Sequence, residues 1–213
     1  MKQLLTTLLL FWSINIFAQQ TYDIVIVGGT PGGLTTALAA ATLGKTSVIL
    51  ERTQHIGGLP SNGLGATDIV TRAATTGLFR EFTCRIKDYY KKKYGVASTQ
   101  YQRCDDGFRF EPSVAEQVFT DWLGEYKGLI TVLTMRQFDS SPRNLKKVDD
   151  KIVQINILNR DKNTQEEYRG KIFIDATYEG DLAAAAGVPF RVGREGKNEF
   201  GEPGAGSVYK YWH

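Results

Sequence analysis

The chain has 213 residues, of which 42% are hydrophobic and 23% are charged, and its formal net charge is +3. This is the usage of an ordinary globular protein with room for one domain and a proper core. No basic run is longer than Lys91–Lys93, which fits the solvated end of a helix, so nothing favours a DNA or RNA partner.

The first eighteen residues differ from the rest of the chain. Lys2 precedes a mostly apolar stretch over residues 4–17, and the small residue Ala18 follows it. This pattern predicts a secretory signal peptide, residues 1–18, cut after Ala18. The mature protein would then be secreted or periplasmic, without stable membrane insertion. The apolar stretch is short for a membrane span, and an N-terminal anchor is the alternative interpretation.

Cysteine and histidine are scarce. An exported protein permits a disulfide between Cys84 and Cys104, but their spacing does not decide whether they pair. Neither cysteine lies in a C-x-x-C motif, and His55 and His213 are the two histidines of the chain. The sequence therefore predicts no metal site.

The strongest pattern is an apolar strand, a glycine-rich turn, an alanine-rich helix and a second apolar strand over residues 22–51. The first strand is Ile24–Val27, the helix begins at about Pro31, and Glu51 follows the second strand, Ser47–Leu50. This arrangement binds the pyrophosphate and ribose of a dinucleotide. The helix directs its unpaired N–H groups and its positive dipole end at the pyrophosphate.

The residues of this turn have separate expected roles. Gly28 lets the chain turn at the end of the strand, Gly29 lets the backbone approach a phosphate, and Gly33 lets the helix pack on the strand. Thr30 stands where the usual fingerprint has its middle glycine. Glu51 can accept hydrogen bonds from ribose hydroxyls and would repel a 2′-phosphate, which disfavours an NADP-type cofactor. The alternative is an ordinary βαβ turn that binds nothing.

A second glycine-rich stretch, residues 52–68, permits close backbone approach to a ligand. Two helices are predicted after it, one over about Arg72–Tyr94 and one from Pro112 to near Gly128. These helices define a helical insertion over about residues 66–128.

The remainder is strand-like, and it ends in a further turn and a helix of small residues. A polar stretch, residues 140–151, separates the first two β-type runs. The predicted runs are Leu129–Leu133, Ile152–Leu158, Glu167–Arg169 and Ile172–Ile174.

Four segments of the chain resemble the FAD-dependent oxidoreductases of the two-dinucleotide-fold type. More narrowly, they resemble a bacterial family that is sometimes labelled a xanthan lyase. The segments are DIVIVGGTPGG, ERTQHIGGLPSNGLGATD, FEPSVAEQVF and FIDATYEGDLAAAAGVPFRVGRE. Thr30 is common in the narrower family. The second fingerprint of the wider class usually reads ATG, and Tyr178, which stands here in place of its glycine, also agrees with the narrower family. Ser113 departs from it, because the family has a histidine there.

The resemblance implies FAD as the cofactor and an α/β, Rossmann-like domain over residues 19–213, with a parallel sheet, a β-meander and inserted helices. It implies that Glu51 holds the adenosine ribose, that Arg52 lies beside the adenine, and that Asp175 and Thr177 belong to a second fingerprint. The residues expected to hold the pyrophosphate or run past it are Gly28, Gly29, Thr30, Pro31, Gly32, Gly33, Gly57 and Gly58.

The resemblance also implies that the domain is partial. Longer relatives have a larger substrate domain and a C-terminal segment that returns to the flavin ring, and we expect this sequence to stop before that segment. The chain is then a fragment or the product of a truncated gene.

No catalytic acid or base stands out. His55, Asn62 and Arg191 are candidates by their location in the resemblance, each with a structural alternative: a loop cap, a turn residue and a surface charge. A histidine in this loop carries the flavin covalently in some enzymes of the wider class, so attachment at His55 is a further hypothesis.

The function favoured by the sequence is an exported FAD-dependent oxidoreductase, or its FAD-binding part, acting on a small-molecule or carbohydrate-derived substrate. Two alternatives are a non-catalytic nucleotide-binding module and a polysaccharide lyase of the xanthan type. No constellation of residues supports the lyase, and the oligomeric state is left open.

Overall fold

The fold is built on one seven-stranded sheet, seen in a computed structural model that describes residues 21–207. The predicted signal peptide lies outside the described residues. The strands are β1 (Thr21–Val27), β2 (Ser47–Leu50), β3 (Ile130–Leu133), β4 (Arg136–Gln137), β5 (Leu145–Val148), β6 (Lys151–Asn159) and β7 (Thr164–Asp175).

The sheet has a parallel half and an antiparallel half. Strands β3, β2, β1 and β7 lie side by side in that order and run parallel. On the other side of β7, strand β6 pairs antiparallel with β7, β4 and β5. This confirms the predicted α/β class with a parallel sheet and a β-meander.

Helices cover the sheet, and three of the six described helices, α2, α3 and α4, come from the predicted insertion. They are α1 (Pro31–Thr42), α2 (Gly77–Tyr94), α3 (Thr99–Arg103), α4 (Pro112–Gly124), α5 (Asp181–Ala185) and α6 (Lys197–Phe200). Within residues 21–207, no helix combines the length and the apolar character that crossing a bilayer requires.

The central strands are buried on both faces, because successive side chains of a strand point to opposite sides. Ile26 and Ile49 pack with helices α1, α2 and α4 in one apolar cluster. Val25 and Val48 point the other way and pack with residues of β6, β7 and α5. This double burial explains why β1 and β2 read as continuous apolar runs.

Several predicted boundaries were wrong. The runs Glu167–Arg169 and Ile172–Ile174 form one strand, β7, that passes through Gly170, where a Cβ would lie 2.7 Å from Val25 Cγ2. Helix α2 begins at Gly77 rather than Arg72, because Gly77 has a φ of +61° and a separate 3-10 turn precedes it.

Other elements were missed or overextended. Helix α4 ends at Gly124 rather than near Gly128. Strands β4 and β5 and helix α3 were not predicted. The disulfide question, which the sequence left open, is answered by free thiols at both Cys84 and Cys104.

Candidate functional site

A cleft of about 270 Å³ opens at the carboxyl ends of the parallel strands. In open α/β sheets, ligands bind at this edge. Three of its lining residues lie just after these strands: Gly28 follows β1, Glu51 follows β2, and Thr177 lies two residues after the end of β7. Further lining residues come from within segments 52–62, 136–138 and 178–181.

The glycine turn is packed too tightly for a side chain at Gly28 and Gly33. Gly28 has a φ of +105°, and a Cβ there would lie 2.6 Å from the carbonyl oxygen of Ala176. A Cβ on Gly33 would lie 2.1 Å from the carbonyl oxygen of Gly28. Because these glycines have no Cβ, the end of β1 can pack closely between α1 and the end of β7.

Helix α1 starts beside the cleft: Thr30, which precedes its first residue Pro31, lines the cleft, and Pro31 itself does not. No side chain caps this end, since the Thr30 hydroxyl donates instead to the carbonyl oxygen of Ala176 at 2.7 Å. Gly32 is exposed in the first turn. The helix therefore presents uncapped N–H groups and a positive dipole end to the cleft, which suits a phosphate.

Glu51 is an acid held inside the protein, with only 8% of its surface exposed. Its Oε2 accepts a hydrogen bond from Gly29 N at 2.7 Å. Its Oε1 accepts from the backbone N and the Oγ1 of Thr53, both at 2.8 Å. A carboxylate offers about four acceptor positions, so one is left for a ligand at the edge of the cleft.

The second glycine-rich loop lies against the first. Gly57 has a φ of +103° and donates its N–H to the carbonyl oxygen of Gly29 at 2.7 Å. A Cβ on Gly58 would lie 3.0 Å from Pro31 Cδ and 3.2 Å from Thr30 Cα. The backbone of this loop therefore passes directly over the start of α1.

Asp175 and Thr177 shape the turn after β7. Asp175 Oδ1 accepts from the backbone N of Thr177 at 3.0 Å and from its Oγ1 at 2.7 Å, and Oδ2 accepts from Ala183 N at 2.8 Å. Thr177 lines the cleft, whereas Asp175 is not among the lining residues. The carboxylate of Asp175 thus supports the cleft wall from behind.

The cleft fits FAD on three observations of its own residues. It has a glycine turn in which added Cβ atoms would collide with backbone, an uncapped helix N-terminus, and a buried carboxylate with one open acceptor position. The family model described as "FAD dependent oxidoreductase" matches residues 23–211. The chain belongs to that family.

Two dehydrogenases are among the solved structures of similar fold. L-proline dehydrogenase from P. horikoshii is 15% identical, with a TM-score of 0.52, over 83% of this chain and 59% of that protein. Glycerol-3-phosphate dehydrogenase from Bacillus halodurans, complexed with FAD, is 10% identical, with a TM-score of 0.50. The similarity covers 79% of this chain and 37% of that protein. At these identities the likeness shows the fold alone, and the chain spans less than two thirds of each protein.

A similarity in sequence covers a short stretch. The soluble pyridine nucleotide transhydrogenase of Mycobacterium bovis is 49% identical over 41 residues, which are 19% of this chain and 9% of that protein. The chain is assigned to the FAD-dependent oxidoreductases by the family match over residues 23–211, and not by this short stretch.

In this member of the FAD-dependent oxidoreductase family, the three catalytic candidates have protein partners. His55 Nδ1 lies 3.0 Å from Glu116 Oε2, and Asn62 Nδ2 donates to the carbonyl oxygen of Gly58 at 2.7 Å. Both residues line the cleft. Arg191 is outside the cleft lining, paired with Glu199 and placed over the ring of Phe200 at 4.7 Å.

Arg52 lines the cleft. Its Nη2 is 2.8 Å from Glu179 Oε1, and its carbonyl oxygen accepts from Arg160 Nη1 at 3.0 Å. Glu179 and Asp181 add negative charge beside it. Burial and, after it, the carboxylates of Glu179 and Asp175 raise the pKa of Asp181 above its usual range.

Sequence reasoning missed one wall of the cleft, Arg136, Gln137 and Phe138. Arg136 is mostly buried, and its Nε and Nη2 lie 3.1 and 3.2 Å from the two carboxylate oxygens of Glu166. Tyr168 also donates to Glu166, at 2.6 Å. No local pattern marked these residues, because strand β4 has only two residues and its partners lie far along the chain.

Among the described residues, no group of three or more His, Cys, Asp or Glu side chains could hold a metal ion.

Proposed function

We propose that this protein is an exported flavoenzyme that binds FAD in the cleft between β1, β2 and β7 and oxidises or reduces a small-molecule or carbohydrate-derived substrate. The observation that carries the proposal is the buried Glu51 carboxylate, hydrogen-bonded to Gly29 and open to the cleft. Family membership over residues 23–211 supports the redox activity. The signal-like pattern over residues 1–18 supports export.

Different residues of the chain would bind different parts of FAD. Glu51 would accept the hydroxyls of the adenosine ribose, and its charge disfavours a 2′-phosphate. The start of α1 would hold the pyrophosphate through backbone N–H groups, with Gly58 leaving room beside Pro31. Arg52 and the 136–138 wall would border the adenine.

When bound, FAD supplies a ring that takes up or gives back a hydride or electrons. The protein's part is to hold that ring in place and to shield it from water. His55 and Asn62 keep the second glycine loop folded through Glu116 and Gly58, and so act on the reaction through the loop.

The proposal is tested by purifying the secreted protein, releasing its ligand by heat and identifying it by absorbance and mass. We expect FAD and an N-terminus at Gln19. Recovery of NADP, or of no nucleotide from a folded protein, would contradict FAD binding. An intact Met1 in the membrane fraction would contradict export. Flavin without turnover on any substrate tried would favour the non-catalytic module.

A further inference from the structure

The turn after β7 reaches two separate segments of the cleft rim through neighbouring residues. Tyr178 Oη accepts a hydrogen bond from Leu59 N at 2.8 Å, and the next residue, Glu179, pairs with Arg52 at 2.8 Å. Leu59 follows the second glycine pair and begins a 3-10 turn. One short turn thus joins the end of β7 to both the second glycine loop and the end of β2.

The second glycine loop is shaped around the Tyr178 hydroxyl. Gly58 has a φ of +58°, and a Cβ there would lie 2.3 Å from Tyr178 Oη. The same Cβ would lie 3.0 Å from Pro31 Cδ at the start of α1. Gly58 is therefore enclosed between the tyrosine hydroxyl and the phosphate-binding end of the helix.

The ring of Tyr178 is not a core element. The residue is 58% exposed and lines the cleft. Its hydroxyl bonds a backbone N–H that is 119 residues away in the chain. Loss of the hydroxyl should therefore release the loop without unfolding the domain.

We propose that Tyr178 is a positioning residue that holds the second glycine loop against the start of α1. This inference rests on the proposed FAD binding. In this proposal, Tyr178 affects the binding of the part of FAD that passes α1 and the second glycine loop, whereas Glu51 binds the adenosine end. Tyr178 therefore discriminates FAD from a ligand that stops at the first phosphate.

The test compares FAD with AMP, because AMP carries the adenosine and one phosphate only. In Tyr178→Phe we expect the affinity for FAD to fall by about 2- to 12-fold, the usual range for one lost hydrogen bond. The affinity for AMP should stay within about twofold. Tyr126→Phe is the matched control, since Tyr126 lies outside the cleft lining and has no hydrogen-bonded hydroxyl in the described part of the chain.

Two further readouts separate positioning from a general loss of structure. Amide hydrogen exchange of Leu59 should speed up in Tyr178→Phe, with exchange in β1 unchanged. Gly58→Ala should weaken FAD binding less in the Tyr178→Phe background than in the wild type, because the colliding oxygen has been removed.

The outcomes distinguish this inference from the proposed function. If the wild-type protein does not bind FAD, the proposed function fails and this inference fails with it. If the wild type binds FAD and Tyr178→Phe binds it equally well, the inference alone is wrong. An equal loss for AMP and FAD would also overturn it, because the hydroxyl would then act on the whole cleft.

Discussion

The backbone N–H of Gly29 donates to Glu51 Oε2 at 2.7 Å, which ties the glycine turn after β1 to the acid after β2. The contact fixes the carboxylate beside the turn that we propose binds the pyrophosphate. A buried charge is tolerated here because three N–H or O–H groups of the protein surround it. The protein itself therefore sets the distance between the proposed ribose site at Glu51 and the proposed phosphate site at the glycine turn.

Thr53 should influence the ribose site through Glu51. Thr53→Val removes the hydroxyl that donates to Oε1 but keeps the backbone N–H. We therefore expect the free energy of AMP binding to become less favourable by about 0.5–1.5 kcal/mol. Thr53→Ser keeps the hydroxyl and should bind like the wild type. Calorimetric titration with AMP and with 2′,3′-dideoxy-AMP measures the effect. A loss of the same size for the dideoxy ligand would show that Thr53 does not act through the ribose hydroxyls.

Gly33 and Gly32 should respond differently to the same substitution. Gly33→Ala places a Cβ against the Gly28 carbonyl and should lower the free energy of unfolding by about 3 kcal/mol. In Gly32→Ala the nearest atom, Thr30 Oγ1, is 3.7 Å away, so the change should be neutral or stabilising by up to about 1 kcal/mol. Urea denaturation compares the two variants, and equal losses would contradict the packing described for the turn.

Asp23 should make stability depend on acid pH. Hydrogen bonding to Lys171 and, after it, to Thr46 lowers the pKa of Asp23 below its unfolded value of 3.8. The folded protein therefore holds this carboxylate charged more strongly than the unfolded chain does. The resulting stability is present above the unfolded pKa and is lost as the pH falls through the folded one.

The measurement for Asp23 is urea denaturation of the wild type and Asp23→Asn at several pH values. The difference in free energy of unfolding between them should shrink as the pH falls from about 6 towards the folded pKa. Lys171→Met should reproduce part of the same pH dependence, because it removes the ion pair at 2.7 Å. A difference that does not change with pH would rule out this role of Asp23.

The parts of the fold that could be predicted are those with local signals. The glycine turn, the start of α1 at Pro31 and the acid after β2 follow from spacing within thirty residues. The apolar runs of β1 and β2 follow from burial on both faces. The same local signals indicated FAD, which family membership supports.

The parts that could not be predicted depend on distant partners. Strand β4 exists because its two residues pair with β6, and Arg136 is held by Glu166, thirty residues later. The contact of Tyr178 with Leu59 spans 119 residues and has no pattern in the sequence. Arg191 shows the opposite case, since its motif matched the family but its side chain pairs with Glu199 away from the cleft.

The central claim, that the cleft binds FAD through Glu51, is tested most directly by titrating the purified protein with FAD and following flavin fluorescence. We predict saturation at one FAD per chain in the wild type. In Glu51→Gln, which keeps the shape of the side chain but loses the charged acceptor, the free energy of FAD binding should become less favourable by about 1–3 kcal/mol. NADP should not compete. Absence of FAD binding to the folded wild type, or equal affinity in Glu51→Gln, would contradict the claim.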